Sequence, residues 1–148
     1  MRSLSQAMSE KIVSINARLC YGEILSQAGD AVGGILAFRK CAIVDPLNPL
    51  PYINTARTFN QMGQPSLAIL HISRALELDN TYCMTFVDLA QVFLQQGKTK
   101  DALEQISKAL QLARHVSEIR DVLTAQKIAL IQEELEQKGL FRQVNLSM

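Results

Sequence analysis

Three cysteines and two histidines are the residues of this 148-residue chain best able to carry covalent or metal chemistry, and their spacing offers neither. Cys20, Cys41 and Cys83 are odd in number and widely separated, with no Cys-x-x-Cys pair and no histidine at ligand spacing. That pattern gives no metal site and makes a reducing compartment the simpler setting. His71 and His115 are isolated, which suits a packed or surface histidine better than a ligand or a base. A Gly-rich phosphate loop, a paired His and carboxylate, and a nucleophile motif are all missing. No catalytic residue, metal ligand or cofactor is therefore expected. The chemistry left to the chain is recognition by side chains that its elements must hold in register.

That register is visible in the sequence. Gly29, Gly63 and Gly97 are spaced 34 residues apart, and small residues keep the same period: Gly22, Ala56 and Ala90; Gly34, Ala68 and Ala102; Cys41, Ala75 and Ala109. Bulky residues follow it too, with Leu25, Phe59 and Phe93 in one column and Phe38, Ile72 and Ile106 in another. Small side chains are needed where paired helices approach closely, and a glycine ends a helix by entering the left-handed region. This is the tetratricopeptide pattern. It implies an all-α fold, a tetratricopeptide-repeat superhelix of three helical hairpins plus a C-terminal capping helix. Cys41 reads as a small buried residue of its column.

The repeats occupy 14–114. First helices are expected near residues 14 to 28, 49 to 62 and 83 to 96, and second helices near 31 to 44, 66 to 78 and 100 to 114. The stretch from Asp45 to Pro49 separates the first two hairpins, because a residue before proline leaves helical geometry while Pro49 suits a first helical position. Asp79-Asn80-Thr81 offers capping oxygens before the third. Residues 1–13 keep the register, with Leu4 34 before Phe38 and Ala7 34 before Cys41. They read either as an N-terminal extension of the first helix or as the remnant of an upstream repeat. Residues 115–140 read as a solvating cap whose apolar side carries Ile119, Val122, Leu123, Ala129 and Leu130, extended by Ile128 and Ile131. Gly139 would stop that helix before a tail at 141–148.

In this architecture the first helix of each hairpin lines a concave face, so the expected function is non-catalytic peptide or protein binding. The candidate binding residues are Leu19, Glu23, Leu50, Ile53, Asn54, Arg57, Met84, Val87, Gln91 and Leu94. Apolar side chains would enter shallow pockets of a bound segment while amides answer its main-chain groups. For Leu50, Ile53 and Val87, contacts within the stack are an equally good reading. Arg57 is the one basic side chain on this face, available either to a ligand or to a salt bridge with Glu23 or Asp88.

The clamp by which some tetratricopeptide domains grip acidic chaperone C-terminal tails is matched only at Asn54. Leu19 and Glu23 replace its lysine and asparagine in the first repeat, and Val87 and Gln91 replace its lysine and arginine in the third, so no chaperone-tail clamp is expected. Other strings are closer to a second family. Tyr21-Gly22-Glu23-Ile24-Leu25, the run from Asn48 to Asn54, Leu89-Ala90-Gln91 with Leu94 to Lys98, Leu112-Ala113-Arg114 with Glu118, Leu123-Thr124 and Gln132, and Lys138-Gly139-Leu140 resemble the C-terminal repeats of the seventy-kilodalton mitochondrial outer-membrane import receptors. That resemblance runs from about Tyr21 to Leu140. It implies an import receptor-like module that binds hydrophobic precursor segments, at the mitochondrial outer membrane facing the cytosol or in the cytoplasm. It also assigns Glu23, Asn54, Arg57 and Gln91 as the polar part of the site, with Leu50, Ile53, Val87 and Leu94 as its apolar lining. The alternative is a structural adaptor subunit of a larger assembly.

Composition bounds the partners further. A net charge of +1, with basic residues spread thinly, argues against nucleic acid. Apolar residues make up 48% of the chain, yet no run approaches the roughly 18 that a membrane span requires. The first residues lack the apolar block of a secretory signal, so a secreted protein is not expected.

Overall fold

Each of the three periodic glycines ends a helix in the same way. Gly29, Gly63 and Gly97 have φ of 96°, 75° and 76°. The residue after each glycine reaches back to close the last turn: Asp30 N donates to Leu25 O at 2.8 Å, Gln64 N to Phe59 O at 2.9 Å and Lys98 N to Phe93 O at 2.9 Å. The glycine N–H bonds the next carbonyl, Ser26, Asn60 or Leu94. This double closure needs a left-handed residue, which glycine adopts without a Cβ penalty.

The computed structural model describes residues 3–139, and among them seven helices form three hairpins and a terminal helix. These are α1 (Leu4–Gln27) with α2 (Ala31–Val44), α3 (Leu50–Gln61) with α4 (Pro65–Leu78), α5 (Cys83–Gln95) with α6 (Thr99–Leu112), and α7 (Val116–Gln137). Contacts run from each helix to the next, and α3 also touches both α1 and α5, so the first helices of the hairpins share one side of the stack. No Cα atom of α2 comes within 8 Å of one in α4. The tail at 141–148 and Leu140 lie outside the described residues.

The small columns are where the helices meet. Ala56, Ala68, Ala75, Ala90, Ala102 and Ala109 are all buried, as is Cys41. Larger residues fill the space between them. Val87, Leu94, Ile106 and Val122 join α5, α6 and α7; Ile72, Leu89 and Val92 join α4 and α5; Ile15, Leu19, Phe38 and Cys41 form the core of the first hairpin.

Several local expectations are adjusted. Residues 4 to 13 run directly into α1 as one helix, with Ser3 Oγ accepting from Gln6 N and Gln6 Oε1 accepting from Ser3 N. The register of Leu4 and Ala7 therefore falls inside α1. Pro49 is the cap of α3 rather than its first turn, and Asn48 Oδ1 accepts from Leu50 N at 3.0 Å. Asp79 does not cap α5. It folds back on its own turn, accepting from Thr81 N at 2.9 Å and Thr81 Oγ1 at 2.6 Å, and leaves Tyr82 as the cap residue.

The terminal helix packs by a stripe that keeps Val122 and Ala129 of the expected side and adds Ala125 and Gln132. Val122, Ala125, Ala129 and Gln132 are its buried residues, a spacing of three, four and three that runs along a single face. Ile119, Leu123, Leu130 and Ile131 lie beside that stripe and remain exposed. Gln132 is anchored through Nε2, which donates to Leu94 O at 3.2 Å and Thr99 Oγ1 at 3.1 Å, while Thr99 Oγ1 donates to Glu136 Oε1 at 2.7 Å. A polar cluster thus ties the cap to the turn between α5 and α6.

Candidate peptide-binding groove

On α3, residues Ile53, Asn54, Arg57, Asn60 and Gln61 recur at helical spacing on the side that faces α1 and α5 rather than α4. Arg57 is at the centre of this side. It borders three separate openings: one of about 240 Å³ toward α1, with Leu19, Glu23, Leu50, Ile53, Asn54 and Tyr82; one of about 140 Å³ with Ser26, Gln27 and Gln61; and one of about 180 Å³ toward α5, with Asn60, Asp88, Gln91 and Gln95.

Four of the polar side chains there are already paired with one another. Asn54 Nδ2 donates to Glu23 Oε1 at 3.1 Å. Arg57 Nε bonds both Asp88 oxygens at 3.1 and 3.0 Å, and its Nη2 lies 2.9 Å from Asp88 Oδ2. Both pairs join residues 31 apart, and they are the same two columns one repeat on: Glu23 becomes Arg57 and Asn54 becomes Asp88. One geometry therefore serves an amide with a carboxylate and then a guanidinium with a carboxylate.

The two members of the second pair differ in environment, with side-chain exposures of 44% for Arg57 and 10% for Asp88. Burial opposes the charge of Arg57, yet Asp88, together with Tyr82 and Glu23, holds the guanidinium above its ordinary pKa. Burial pushes the Asp88 carboxyl up against the pull of Arg57. Burial also raises the Tyr82 phenol, with Arg57 acting in the opposite sense.

Seven of the ten candidate residues line these openings: Leu19, Glu23, Leu50, Ile53, Asn54, Arg57 and Gln91. Val87 and Leu94 do not; both belong to the core joining α5, α6 and α7, and Met84 packs against that core. The cause is tertiary, because α7 covers the end of the stack and recruits the apolar residues of α5 as its floor. Tyr82 and the exposed Cys20 border the α1–α3 opening and are not among the groove residues expected from sequence. The available signal for Tyr82 was an aromatic residue just before α5, in the column where the preceding repeat has Asn48. No group of three or more His, Cys, Asp or Glu among the described residues could hold a metal ion.

Solved structures share this architecture. The type III secretion chaperone SycD of Yersinia enterocolitica, in complex with a peptide of the translocator YopD, superposes with a TM-score of 0.73 at 18% identity, over 84% of this chain and 95% of that one. The TPR2B domain of yeast Sti1, in complex with pHsp70, gives 0.72 at 18% identity over 81% and 98%. The P58(IPK) TPR domain gives 0.66 at 21% identity over 86% of this chain, which spans only 35% of its length. No protein-family model and no curated protein matches the chain. The fold is thus a tetratricopeptide-repeat superhelix, three hairpins closed by a terminal helix.

Proposed function

We propose that this chain is a non-catalytic repeat module that binds neutral, largely apolar protein segments on its concave face. One observation carries the reading: the Arg57 guanidinium, the one basic side chain among the groove residues, and the Asn54 amide at the clamp position are already taken by Asp88 and Glu23. An acidic tail would have to displace the chain's own carboxylates and then meet their repulsion. A segment with apolar side chains and ordinary backbone groups meets no such obstacle, since Leu50 offers exposed apolar contact above the buried Ile53, and Gln61, Gln91 and Gln95 offer amides. SycD, which shares the fold, is solved in complex with a peptide of the translocator YopD, which supports peptide binding as the use of the fold here. The resemblance to the import receptors extends the proposal to hydrophobic precursor segments, at the mitochondrial outer membrane facing the cytosol or in the cytoplasm.

Calorimetry with two peptides tests this reading. An apolar precursor segment is expected to bind at micromolar strength with little salt dependence, and a chaperone C-terminal tail peptide not to bind. Tight tail binding that disappears in salt would overturn it.

A second reading, a fixed subunit of a larger assembly, is favoured by one feature of α1. Tyr21 and Ile24 occupy the columns of Leu89 and Val92, which are 9% and 1% exposed because they pack on the preceding repeat. In α1 the same positions are 59% and 62% exposed. A partner covering α1 would bury them as a further repeat does.

A further inference from the structure

The convex side carries a second opening at a junction whose counterpart one repeat later is packed with larger side chains. Between α2 and α4, floored by α3, is a cavity of about 510 Å³ whose wall includes Ile35, Phe38, Arg39, Ala42, Thr55 and His71. One repeat later Leu89 stands in the column of Thr55 and Leu76 in the column of Ala42, and there Leu89, Ile69, Ile72 and Leu76 pack together into core. Two small residues at the first junction thus leave unfilled the volume that two leucines occupy at the second. The rim changes as well. Arg39 and Ile43 replace Ser73 and Glu77, and Ile43 is 72% exposed.

We propose that this cavity is a docking site for an acidic amphipathic helix of a partner protein, which places one large apolar side chain against Ala42, over the floor of Phe38 and Thr55, and a carboxylate on Arg39. Charge selects the acidic partner. Arg39 borders the cavity and makes no ion pair among the described residues, and the neighbouring Arg74 is held by Glu77 at 3.0 Å. Backbone chemistry selects a helix. Every lining residue lies within α2, α3 or α4, so apart from the carbonyls of Ala42 and Ile43 in the last turn of α2 the walls offer no run of main-chain groups to pair with a strand; Thr55 Oγ1 is bonded to Pro51 O at 2.7 Å and His71 Nδ1 to Leu67 O at 2.9 Å. A ligand here must satisfy its own backbone hydrogen bonds, which a helix does and an extended strand does not. The site is separate from the concave groove, and its success or failure is independent of the function proposed above.

Titration of the ¹⁵N-labelled full chain with three synthetic helical peptides tests the site: one with a leucine and glutamates one turn away, one with lysines for the glutamates, and one with alanine for the leucine. The acidic peptide is expected to shift the amides of Ile35, Ala42, Thr55 and His71, with the other two binding at least about tenfold more weakly. Three variants that transplant the next repeat's residues, Ala42→Leu, Ile43→Glu and Arg39→Ser, are each expected to weaken it; the last two change surface residues and keep the test valid should Ala42→Leu disturb folding. Equal binding of the lysine peptide, shifts confined to Asn54, Arg57 and Asp88, undiminished binding by all three variants, or no binding would overturn the proposal. So would sedimentation showing a dimer that Ile43→Glu dissolves, since the occupant would then be a second copy.

Discussion

Gly22 lies directly beneath the ring of Phe38: a Cβ built on Gly22 would stand 2.5 Å from Phe38 Cε1 and 2.9 Å from Cδ1. The other two repeats have alanine in the Gly22 column and isoleucine in the Phe38 column, so the first hairpin has exchanged one large and small pair for another with a similar fit. Phe38 is buried within the cluster of Ile15, Leu19 and Cys41, which leaves it little freedom to move aside.

Gly22→Ala is therefore expected to cost about 1–3 kcal/mol through overpacking. Gly22→Ala with Phe38→Ile, the combination of the later repeats, should recover part of the loss. Urea denaturation of both singles and the double measures the coupling. Strict additivity would show that the two sites do not constrain each other.

Arg57→Ala should lower the melting temperature as well as disturb the groove. It leaves the carboxylate of Asp88 buried without its partner, a change worth about 3–5 kcal/mol when both members are buried. With Arg57 nearly half-exposed, about 1–2 kcal/mol is expected after solvent screening. Arg57→Ala with Asp88→Ala should be less damaging than Arg57→Ala alone. A stable Arg57→Ala variant with weakened peptide binding would instead assign the arginine to the ligand.

Thiol labelling should distinguish the cysteines. Burial raises the pKa of Cys41 and of Cys83, the latter helped by Glu118, so both are held as thiols at neutral pH; Cys20 is exposed at the edge of the groove. A thiol reagent should label one cysteine of the native chain quickly and the other two only on unfolding. A precursor peptide bound on the concave face should slow that first reaction. Rapid labelling of all three would contradict the packing of the first and third hairpins.

Acid should weaken the turn before α5. The two hydrogen bonds from Thr81 hold Asp79 below its ordinary pKa, so its stabilising effect is complete above the unfolded value of about 3.9 and is lost as pH falls through the lower folded value. Denaturant midpoints measured at pH 6 and pH 3 should fall further for the unaltered chain than for Asp79→Ala. Equal falls would mean that the turn does not respond to the Asp79 charge.

The 34-residue register was enough to establish the helices and their pairing, because it depends on local chemistry. A left-handed glycine closes a helix wherever it occurs, and a column of small residues makes a close helix contact in every repeat. The same count put Glu23, Asn54 and Arg57 on one side of the stack, where they line shared openings. Three matters needed the assembled stack. The end of the array has no successor repeat, so α7 turned Val87 and Leu94 into core and chose Val122, Ala125, Ala129 and Gln132 as its own buried stripe. Side-chain pairing decided that Arg57 binds Asp88 while Asn54 takes Glu23, an outcome set by reach and burial between helices. The convex cavity arises from a volume deficit at Ala42 and Thr55, and it appears only once the two junctions are packed and compared. Repetition fixes what neighbouring residues do alike; departures from it acquire meaning only from the space that their neighbours leave.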